Sequence, residues 1–357
     1  LEAATPEDWI TICYTSGTTG LPKGAIITHD NMASVMEDCE KTLGKYVEPE
    51  KEVLLSFLPF SHIIGKAESL AGYTFGWKEC FAENFDRIAD NLGETKPTVF
   101  FAVPRIFEKA FGRIHHMATS GSYAKRVTFE RAVKVGRRYY EKIWAGKRPS
   151  MVDAMEFQVL DQIVFSKVRD RMGGRLKFAF CGGAPLPREV GEFFQIAGVR
   201  IVEAYGLTET SAPVTMNSPE MPRFGVVGKP LPDVTIKIAD DGEILIKSRK
   251  VFKGYYKMPD ETARALVDGW FHSGDIGHID SEGFLHITDR KKDLIITSGG
   301  KNVAPQKIEN LARSLPPITQ FVVHGDRRNY LTAVLTLDRE AVIKFANDNQ
   351  VLFSEYR

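Results

Sequence analysis

The chain has 357 residues, of which 43% are hydrophobic and 26% are charged, and its formal net charge is +1. This balance is typical of ordinary globular proteins, and the length accommodates two or more domains. The near-neutral charge gives no reason to expect nucleic acid as a partner.

The spacing of the cysteines and the hydropathy of the chain argue against several further classes of protein. The cysteines show no C-x-x-C spacing, so neither a zinc site nor a disulfide framework is predicted, and a reducing, cytosolic compartment fits best. No uninterrupted apolar run reaches the ~18 residues that a membrane-spanning helix needs, and the sequence shows no signal-peptide pattern. The four cysteines are Cys13, Cys39, Cys80 and Cys181.

The first predicted element is a buried strand that contains Ile10 and Ile12. It leads into the string Tyr14-Thr-Ser-Gly-Thr-Thr-Gly-Leu-Pro-Lys-Gly24, with three glycines, four hydroxyl residues and one lysine. Glycines let backbone N–H groups converge on an anion, and the hydroxyls and the lysine add donors and positive charge. The string is not a Walker A motif, because Gly24 follows the lysine where Ser or Thr is needed. The predicted phosphate-binding residues are Thr15, Ser16, Gly17, Thr18, Thr19, Gly20 and Lys23.

Short apolar runs alternate with amphipathic segments through the rest of the chain, which predicts an α/β fold with layered sheets and helices. From Gly225 to Ile287 the runs are close together and separated by turns, which predicts a β-rich subdomain over about 225–289. A helix over Gln306–Ser314 and strands at Gln320–Val323 and Leu331–Leu337 predict a small α+β domain. The other predicted strands are Val53–Phe57, Thr98–Phe101, Leu176–Phe180, Arg200–Glu203, Thr235–Ile238, Glu243–Ile246, Phe284–Ile287 and Asp293–Ile296.

A basic segment over about 111–174 differs from its surroundings. Between Arg105 and Arg175 there are 16 Lys and Arg residues against 7 Asp and Glu residues. One interpretation is a set of solvated helices. The other is a basic helical face that contacts an anionic membrane surface or an acidic partner, or that attracts the phosphates of coenzyme A.

The phosphate-loop string as a whole resembles the signature of the adenylate-forming enzymes, which include acyl-CoA synthetases, adenylation domains and luciferases. Further strings match the same family in the same order. The resemblance implies that ATP and Mg²⁺ bind here, that a carboxylate is activated as an acyl-adenylate, and that a thiol then displaces AMP. The further strings are Leu58-Pro-Phe-Ser-His62, Cys181-Gly-Gly-Ala-Pro185, Glu203-Ala-Tyr-Gly-Leu-Thr-Glu-Thr210, Trp270-Phe-His-Ser-Gly-Asp-Ile-Gly277, Asp289-Arg-Lys-Lys-Asp293 and Ser298-Gly-Gly-Lys-Asn-Val-Ala-Pro305.

These strings carry the nucleotide-site expectations. Tyr205 offers a ring face for adenine, Thr208 can bond a phosphate oxygen, and the Glu209 carboxylate offers the oxygen that Mg²⁺ prefers. In the family, the positions of Asp275 and Arg290 bind ribose, and the arginine also contacts phosphate. The remaining ATP- and AMP-binding expectations are Gly182, Gly183, Ala184, Glu203, Ala204 and Gly206.

The resemblance also implies the acyl site, the hinge and the CoA channel. His62 is expected to line the acyl pocket near the carboxylate, and Lys292 to lie at the hinge between the two domains. Glycines allow the close backbone approach that a thin pantetheine tunnel needs. The expected CoA-channel residues are Ser298, Gly299, Gly300 and Lys301.

The resemblance predicts a main adenylating domain over 1–289, a hinge over 290–292 and a partial C-terminal lid domain over 293–357. Because the phosphate loop lies within twenty residues of Leu1, we expect the main domain to lack its N-terminal part. The family's second catalytic lysine has no match before Arg357, and truncation is the more economical explanation. The alternative is a catalytically silent homologue that binds ATP or an acyl group.

The length of the basic segment points to the substrate. His62 and Gly182 are 120 residues apart, which is longer than in the aryl- and acetate-type relatives. With Val99-Phe-Phe-Ala-Val-Pro-Arg105 before it, this segment resembles the long-chain fatty acid ligases. The expected substrates are a fatty acid, ATP and coenzyme A, with peripheral contact to the inner face of a membrane as an additional expectation. A fatty acyl-AMP ligase that serves a carrier protein is the closest alternative, and a peptide-synthetase adenylation domain is a more distant one.

Overall fold

Two compact units make up the chain in the computed structural model, which describes residues 3–15, 21–220, 222–313, 315, 317–349 and 351. The larger unit contains Leu1–Lys237, Leu245–His272 and Asp280–Leu285. The smaller unit contains Ile238–Ile244, Ser273–Ile279 and His286–Arg357.

Strands and helices alternate in the first part of the larger unit. They are β1 (Trp9–Thr15), β2 (Lys23–Thr28), α1 (His29–Leu43), β3 (Val53–Ser56), α2 (Ile63–Thr74), β4 (Lys78–Phe81), α3 (Ile88–Thr95), β5 (Val99–Ala102) and α4 (Pro104–Thr119). The next elements are α5 (Tyr123–Trp144), α6 (Met151–Leu160), α7 (Ser166–Arg171), β6 (Phe178–Cys181), α8 (Arg188–Ile196), β7 (Ile201–Leu207), β8 (Ala212–Met216) and β9 (Lys229–Pro230).

Short strands dominate the region that follows. They continue as β10 (Thr235–Ile238), β11 (Glu243–Lys247), β12 (Gly254–Tyr255), α9 (Pro259–Ala265), β13 (Leu266–Val267), β14 (Trp270–Ile279) and β15 (Leu285–Arg290). The last described elements are β16 (Ile295–Ile296), β17 (Asn302–Val303), α10 (Pro305–Arg313), β18 (Ile318–His324), β19 (Thr332–Leu337) and α11 (Arg339–Asp348).

One sheet of the larger unit positions most of the predicted site. Its strand order is β4-β3-β5-β6-β7-β8-β9. The pairs from β4 to β7 are parallel, whereas β8 and β9 join antiparallel. The fully buried runs Val53–Ser56 and Phe178–Cys181 are apolar on both faces, as parallel strands between helical layers require. The carboxyl ends of these strands lie along the same edge, which is where ligands bind in such sheets.

A hydrophobic core joins this sheet to the helices on one of its faces. Phe100 of β5, Phe107 of α4 and Phe194 of α8 are fully buried in it, and their rings make edge contacts at 5.8–6.5 Å. Side chains of α3, α5 and α7 belong to the same cluster. The basic segment is therefore helical as predicted, and its inner side is part of the core.

Local hydrogen bonds explain where several elements begin and end. Helix α1 starts at Thr28, whose hydroxyl accepts from the Asn31 N–H, while the Asn31 side chain accepts from the Thr28 N–H. The predicted strand Asp293–Ile296 is shorter than expected, because the N–H groups of Asp293 and Leu294 both bond to the Arg290 carbonyl in a turn. The other predicted strands agree with the structure to within a few residues, apart from β7, which runs on to Leu207.

Helix α2 contains a fully buried acid, Glu68, near a second carboxyl, Glu79. Burial, together with the charge of Glu79, raises the pKa of Glu68 from 4.5 to about 9. The folded protein therefore keeps a proton here at neutral pH, whereas the unfolded chain releases it.

This proton makes stability depend on pH with a defined sign. Because the pKa of Glu68 is higher in the folded protein than in the unfolded chain, its contribution to stability is fully present at a pH below the pKa of the unfolded chain. This contribution declines as the pH rises from there toward the pKa of the folded protein. Between pH 5 and 8 we expect the free energy of unfolding to fall, with a limiting slope of about 1.4 kcal/mol per pH unit from this group. Glu68→Gln, which mimics the protonated acid, should flatten the dependence in urea unfolding at several pH values. Parallel curves for the two proteins would contradict the assignment.

Candidate functional site

The predicted phosphate loop lies between two paired strands. β1 and β2 are antiparallel, and Thr15 at the end of β1 faces Lys23 at the start of β2. The pairing places both ends of the loop side by side, so the lysine is held at the loop's base. The other predicted loop residues lie outside the described residues; they are Ser16, Gly17, Thr18, Thr19 and Gly20.

The side chain of Lys23 is buried and already has an anionic partner. Its ammonium forms an ion pair with Glu261 on α9, and it lies 5.3 Å from the ring centroid of Tyr255. Only 9% of Lys23 is exposed. Because burying a charge without a partner is costly, the glutamate and the aromatic ring together stabilise the ammonium at this position.

The predicted metal-binding carboxylate is bonded to the same tyrosine. The Tyr255 hydroxyl donates to Glu209 Oε1 at 2.7 Å. Burial, and then the adjacent Glu209 charge, raise the pKa of Tyr255 well above its ordinary value, so this hydroxyl keeps its proton and donates. Tyr255 therefore links the predicted phosphate-binding lysine to the predicted metal ligand.

Backbone pairing explains why these distant residues meet. β12 pairs antiparallel with β2, which places Tyr255 opposite Ala25, two residues from Lys23. The N–H of Phe252 bonds to the Glu209 carbonyl at 2.8 Å. The segment that contains Tyr255 is thus hydrogen-bonded to β2 on one side and to the Glu209 turn on the other.

The turn that contains Glu209 is strained. Thr208–Thr210 forms a single 3-10 turn after β7, and the next two residues, Ser211 and Ala212, have φ values of 59° and 148°. Non-glycine residues rarely adopt such φ angles, and strain of this kind concentrates at functional sites. A Cβ atom at Gly206 would lie 2.1 Å from the Ala212 carbonyl oxygen, so this position accepts only glycine.

The predicted adenine-binding turn follows β6 at the carboxyl edge of the sheet. Cys181 of β6 faces Glu203 of β7, and the Gly182 N–H reaches the Ala102 carbonyl of β5 at 3.3 Å. Gly183 has a φ of +84°, which favours glycine. Gly182, Gly183 and Ala184 thus follow the end of β6, beside Glu203, Ala204 and Tyr205 of the neighbouring parallel strand β7.

The ionisation of Glu203 is unusual for an acid. It is buried on β7, and burial raises its pKa to about 8. At neutral pH the carboxyl is mostly protonated and can donate as well as accept a hydrogen bond. Tyr205, two residues later, is also buried.

His62 lies directly before a helix of the larger unit. It precedes α2, and its Nδ1 atom accepts from the Ile64 N–H at 3.2 Å, so the imidazole caps the helix. Gly65 in the first turn of this helix is packed against the Pro59 carbonyl, where a Cβ would lie at 2.6 Å. The acyl-pocket role of His62 stays a prediction.

The two predicted ribose-binding residues, Asp275 and Arg290, lie in the smaller unit, where they contact each other. Arg290 Nε lies 3.0 Å from Asp275 Oδ1, and the carboxylate is almost fully buried. The preceding N–H, of Gly274, donates to Glu243 Oε1 at 2.9 Å, and Lys291 Nζ lies 2.9 Å from Glu243 Oε2. Two acids and two bases therefore fix β14 and β15 within this unit, with the guanidinium half-exposed.

Lys292 and the glycine turn also lie in the smaller unit. Lys292 is exposed in the turn that follows β15. Ser298, Gly299, Gly300 and Lys301 form the turn between β16 and β17, where the Gly300 N–H bonds to the Thr297 carbonyl at 2.8 Å. The hinge role and the CoA-channel role stay predictions.

No group of three or more His, Cys, Asp or Glu side chains converges on one point among the residues that the structure describes. A divalent cation at Glu209 would need its other ligands from nucleotide phosphates and water, which is the usual arrangement for Mg²⁺ with ATP. The buried, acceptor-rich carboxylate of Glu209 fits that requirement.

Two residues of this site were missed from the sequence. Tyr255 and Glu261 belong to Gly254-Tyr-Tyr-Lys-Met-Pro-Asp-Glu261, where Pro259 and the acids signal only a helix start. Their partners Glu209 and Lys23 lie 46 and 238 residues away. Only the pairing of β12 with β2 could have revealed these contacts.

Family comparison agrees with the motif resemblance. The model of the family described as AMP-binding enzyme matches residues 1–256. Long-chain-fatty-acid–CoA ligase FadD15 of Mycobacterium bovis is 38% identical over 341 residues, which cover 96% of this chain and 56% of that protein. Long chain acyl-CoA synthetase 7, peroxisomal, of Arabidopsis thaliana is 34% identical over 362 residues, which cover 96% and 49%. The chain spans about half the length of the curated relatives it matches.

Solved structures share the fold. O-succinylbenzoate CoA synthetase of Bacillus subtilis, in complex with the acyl-adenylate intermediate, matches with a TM-score of 0.72 and 23% identity over 99% of this chain and 64% of that one. The adenylation domain of a carboxylate reductase from Mycobacterium chelonae matches with a TM-score of 0.73 and 26% identity over 97% and 50%. The α/β prediction is confirmed. The chain belongs to the AMP-binding enzyme family, the adenylate-forming family that its phosphate-loop string resembles.

Proposed function

We propose that the whole protein activates a long-chain fatty acid with ATP and transfers the acyl group to coenzyme A. The observation that carries the proposal is the Lys23–Tyr255–Glu209 arrangement at the base of the phosphate loop, in which Lys23 and Glu209 are buried and Tyr255 is half-buried. Two relatives support the choice of substrate, one named a long-chain-fatty-acid–CoA ligase at 38% identity and one named a long chain acyl-CoA synthetase at 34% identity.

The chemistry proceeds in two displacements. A carboxylate oxygen of the fatty acid attacks the α-phosphorus of ATP, the bond to the β-phosphate oxygen breaks, and pyrophosphate leaves. The CoA thiol sulfur then attacks the acyl carbon of the adenylate, a proton is lost, and AMP leaves. In the first step the protein has to align the reacting groups and neutralise the phosphate charge.

The larger unit supplies the charge neutralisation in this proposal. Lys23 binds the phosphates, Thr208 donates to a phosphate oxygen, and Glu209 would hold Mg²⁺, which would neutralise negative charge on the phosphate oxygens. Tyr205 and the turn over 182–184 contact adenine, with Glu203 beside them. We also assign ribose contacts to Asp275, which accepts from the ribose hydroxyls, and to Arg290, which contacts ribose and phosphate.

Other roles rest on the motif resemblance alone. We assign His62 to the acyl pocket, Lys292 to a hinge that reorients the lid domain between the two steps, and residues 298–301 to the CoA channel. A rotation about such a hinge is a common way to alternate between two active arrangements. We further propose a cytosolic enzyme that contacts a membrane peripherally.

Acid-dependent exchange of labelled pyrophosphate into ATP tests the proposal. With full-length protein and palmitate we expect exchange, and addition of CoA should give palmitoyl-CoA and AMP. No exchange with any fatty acid would contradict the ligase assignment. Exchange without thioester formation would contradict CoA as the acceptor and favour delivery to a carrier protein.

The ion pair of Lys23 with Glu261 predicts an effect on ATP affinity. Because Glu261 competes with phosphate oxygens for the same ammonium, Glu261→Gln should lower the apparent Kd for MgATP severalfold. Asp260→Asn removes the same charge from the exposed neighbouring position and is the matched control, with no change expected. Equilibrium binding of a fluorescent ATP analogue measures both variants. Weaker binding by Glu261→Gln would show instead that the glutamate positions the lysine for ATP.

A further inference from the structure

Helix α6 presents apolar side chains outward and acidic side chains inward. Its exposed positions recur at every fourth residue and continue through the π-turn Asp161–Phe165 that joins α6 to α7. Five large apolar residues on this face are between 48% and 79% exposed. This surface, the α6 stripe, consists of Met151, Val152, Met155, Val159 and Ile163.

The opposite side of α6 explains why the stripe faces out. Leu160 and Phe165 are buried in the core, and the Phe157 ring stacks on Tyr139 of α5 with centroids 4.7 Å apart. Packing against the core therefore holds the inner side of the helix, whereas the core places no constraint on which residues occupy its outer side. Ordinary surface helices place charged residues there.

Both acidic residues of α6 form ion pairs with basic residues of α5. Asp153 contacts Arg138 at 2.8 Å and also Lys142, while Glu156 contacts Arg131 at 2.8 Å and Arg138 at 2.6 Å. These pairs remove negative charge from the outer side of the hairpin. The exposed polar residues beside the stripe are uncharged; they are Gln158 of α6 and Gln162 of the π-turn.

Exposed cations lie at both ends of the stripe. Lys147 and Arg148 precede it, and Lys167 and Arg171 follow it. An apolar band bounded by cations fits the interface of an anionic bilayer, where the side chains enter the acyl region and the cations meet the headgroups. Methionine side chains also adapt to irregular apolar surroundings.

The same charges disfavour a second copy of this chain as the occupant. A symmetric dimer would bring this basic segment against itself, with 16 Lys and Arg residues against 7 Asp and Glu on each side between Arg105 and Arg175. Like charges at that interface would oppose association. Among the described residues, none of the helices has the length and apolar character to cross a bilayer, so contact through this segment would be at the surface.

We propose that the α6 stripe docks the protein on anionic phospholipid surfaces. The helix lies in the plane of the interface with the five stripe side chains inserted. This docking would place the enzyme where long-chain fatty acids partition, although vesicle binding itself is independent of the proposed ligase activity and is measured without ATP or CoA.

Flotation of the full-length protein with vesicles tests the proposal. We expect binding to phosphatidylcholine vesicles that contain 30% phosphatidylglycerol, and binding that is at least tenfold weaker for Met155→Gln/Val159→Gln. Both positions are exposed, so the fold should be retained, which a thermal melt checks. Tyr73→Gln changes an 88% exposed residue on α2 and is the matched control, with no loss expected.

Two opposite changes sharpen the test. Gln158→Leu/Gln162→Leu extends the stripe and should strengthen binding severalfold, while Lys167→Gln/Arg171→Gln should weaken binding to anionic vesicles and reduce its dependence on salt. Equal binding of wild type and Met155→Gln/Val159→Gln would overturn the proposal. Sedimentation equilibrium without lipid tests for a second copy. A wild-type dimer that Met155→Gln/Val159→Gln converts to monomer would overturn the lipid proposal and identify a second copy as the occupant of the stripe.

Discussion

With Glu209→Ala, we expect acid-dependent pyrophosphate exchange to fall by about 100-fold or more while the fold is retained. The change removes the carboxylate proposed to hold Mg²⁺. It also leaves the half-buried Tyr255 hydroxyl without its acceptor, at a cost of about 1 kcal/mol in stability. Exchange rates measured across a Mg²⁺ titration, beside a thermal melt, separate the two effects.

Tyr255→Phe is the matched control for this prediction. It keeps the carboxylate and removes only the hydroxyl that orients it, so we expect a smaller loss of exchange and a higher Mg²⁺ requirement. If Glu209→Ala retained activity, the metal assignment would be wrong. If Tyr255→Phe were as impaired as Glu209→Ala, the tyrosine would have a direct part in the reaction.

Local sequence patterns predicted most of the strands because a buried strand needs a short apolar run. The run Leu176–Phe180 became β6 at Phe178–Cys181 for this reason. β7 was longer than predicted, since β8 pairs with it antiparallel and extends it past Tyr205. Pairing with a partner strand is a long-range property that no local run shows.

The sequence predicted the site residues that stand together in short motifs. It did not predict the residues that contact them from distant parts of the sequence. Lys23 and Glu209 stand in recognisable strings, yet the groups that hold them, Glu261 and Tyr255, lie in strings without such a signature. His62 shows a second limit of sequence-based prediction. A histidine after a proline turn is compatible both with a binding pocket and with a helix cap. Only the 3.2 Å contact with the Ile64 N–H identifies the cap.

The segment that contains Tyr255 is itself held by a buried ion pair. Lys250 Nζ lies 2.5 Å from Asp38 Oδ2 of α1, and both side chains are fully buried. The ammonium also donates to the Pro213 carbonyl at 3.0 Å, and the Ser211 hydroxyl donates to the Lys250 carbonyl at 2.8 Å. The pair therefore ties α1, the strained turn after Glu209 and the chain leading to Tyr255 together.

We expect Lys250→Met to lower the free energy of unfolding by about 3–5 kcal/mol, because it leaves the Asp38 carboxylate buried without a countercharge. Burial lowers the pKa of Lys250 even though the Asp38 carboxylate acts to raise it, so its partners offset only part of the cost of burying the ammonium. Urea unfolding at pH 7 measures the loss. The exchange rate of the remaining folded protein should also fall, since the hydroxyl of Tyr255 loses its fixed position beside Glu209.

The double variant Asp38→Leu/Lys250→Met separates charge from packing. Replacing both ions by apolar groups removes the desolvation cost together with the attraction, so its stability should recover most of the loss. Recovered stability without recovered exchange would show that the ion pair serves to position the Glu209 turn. A single variant as stable as wild type would mean that water reaches Asp38, and the positioning argument would then fail.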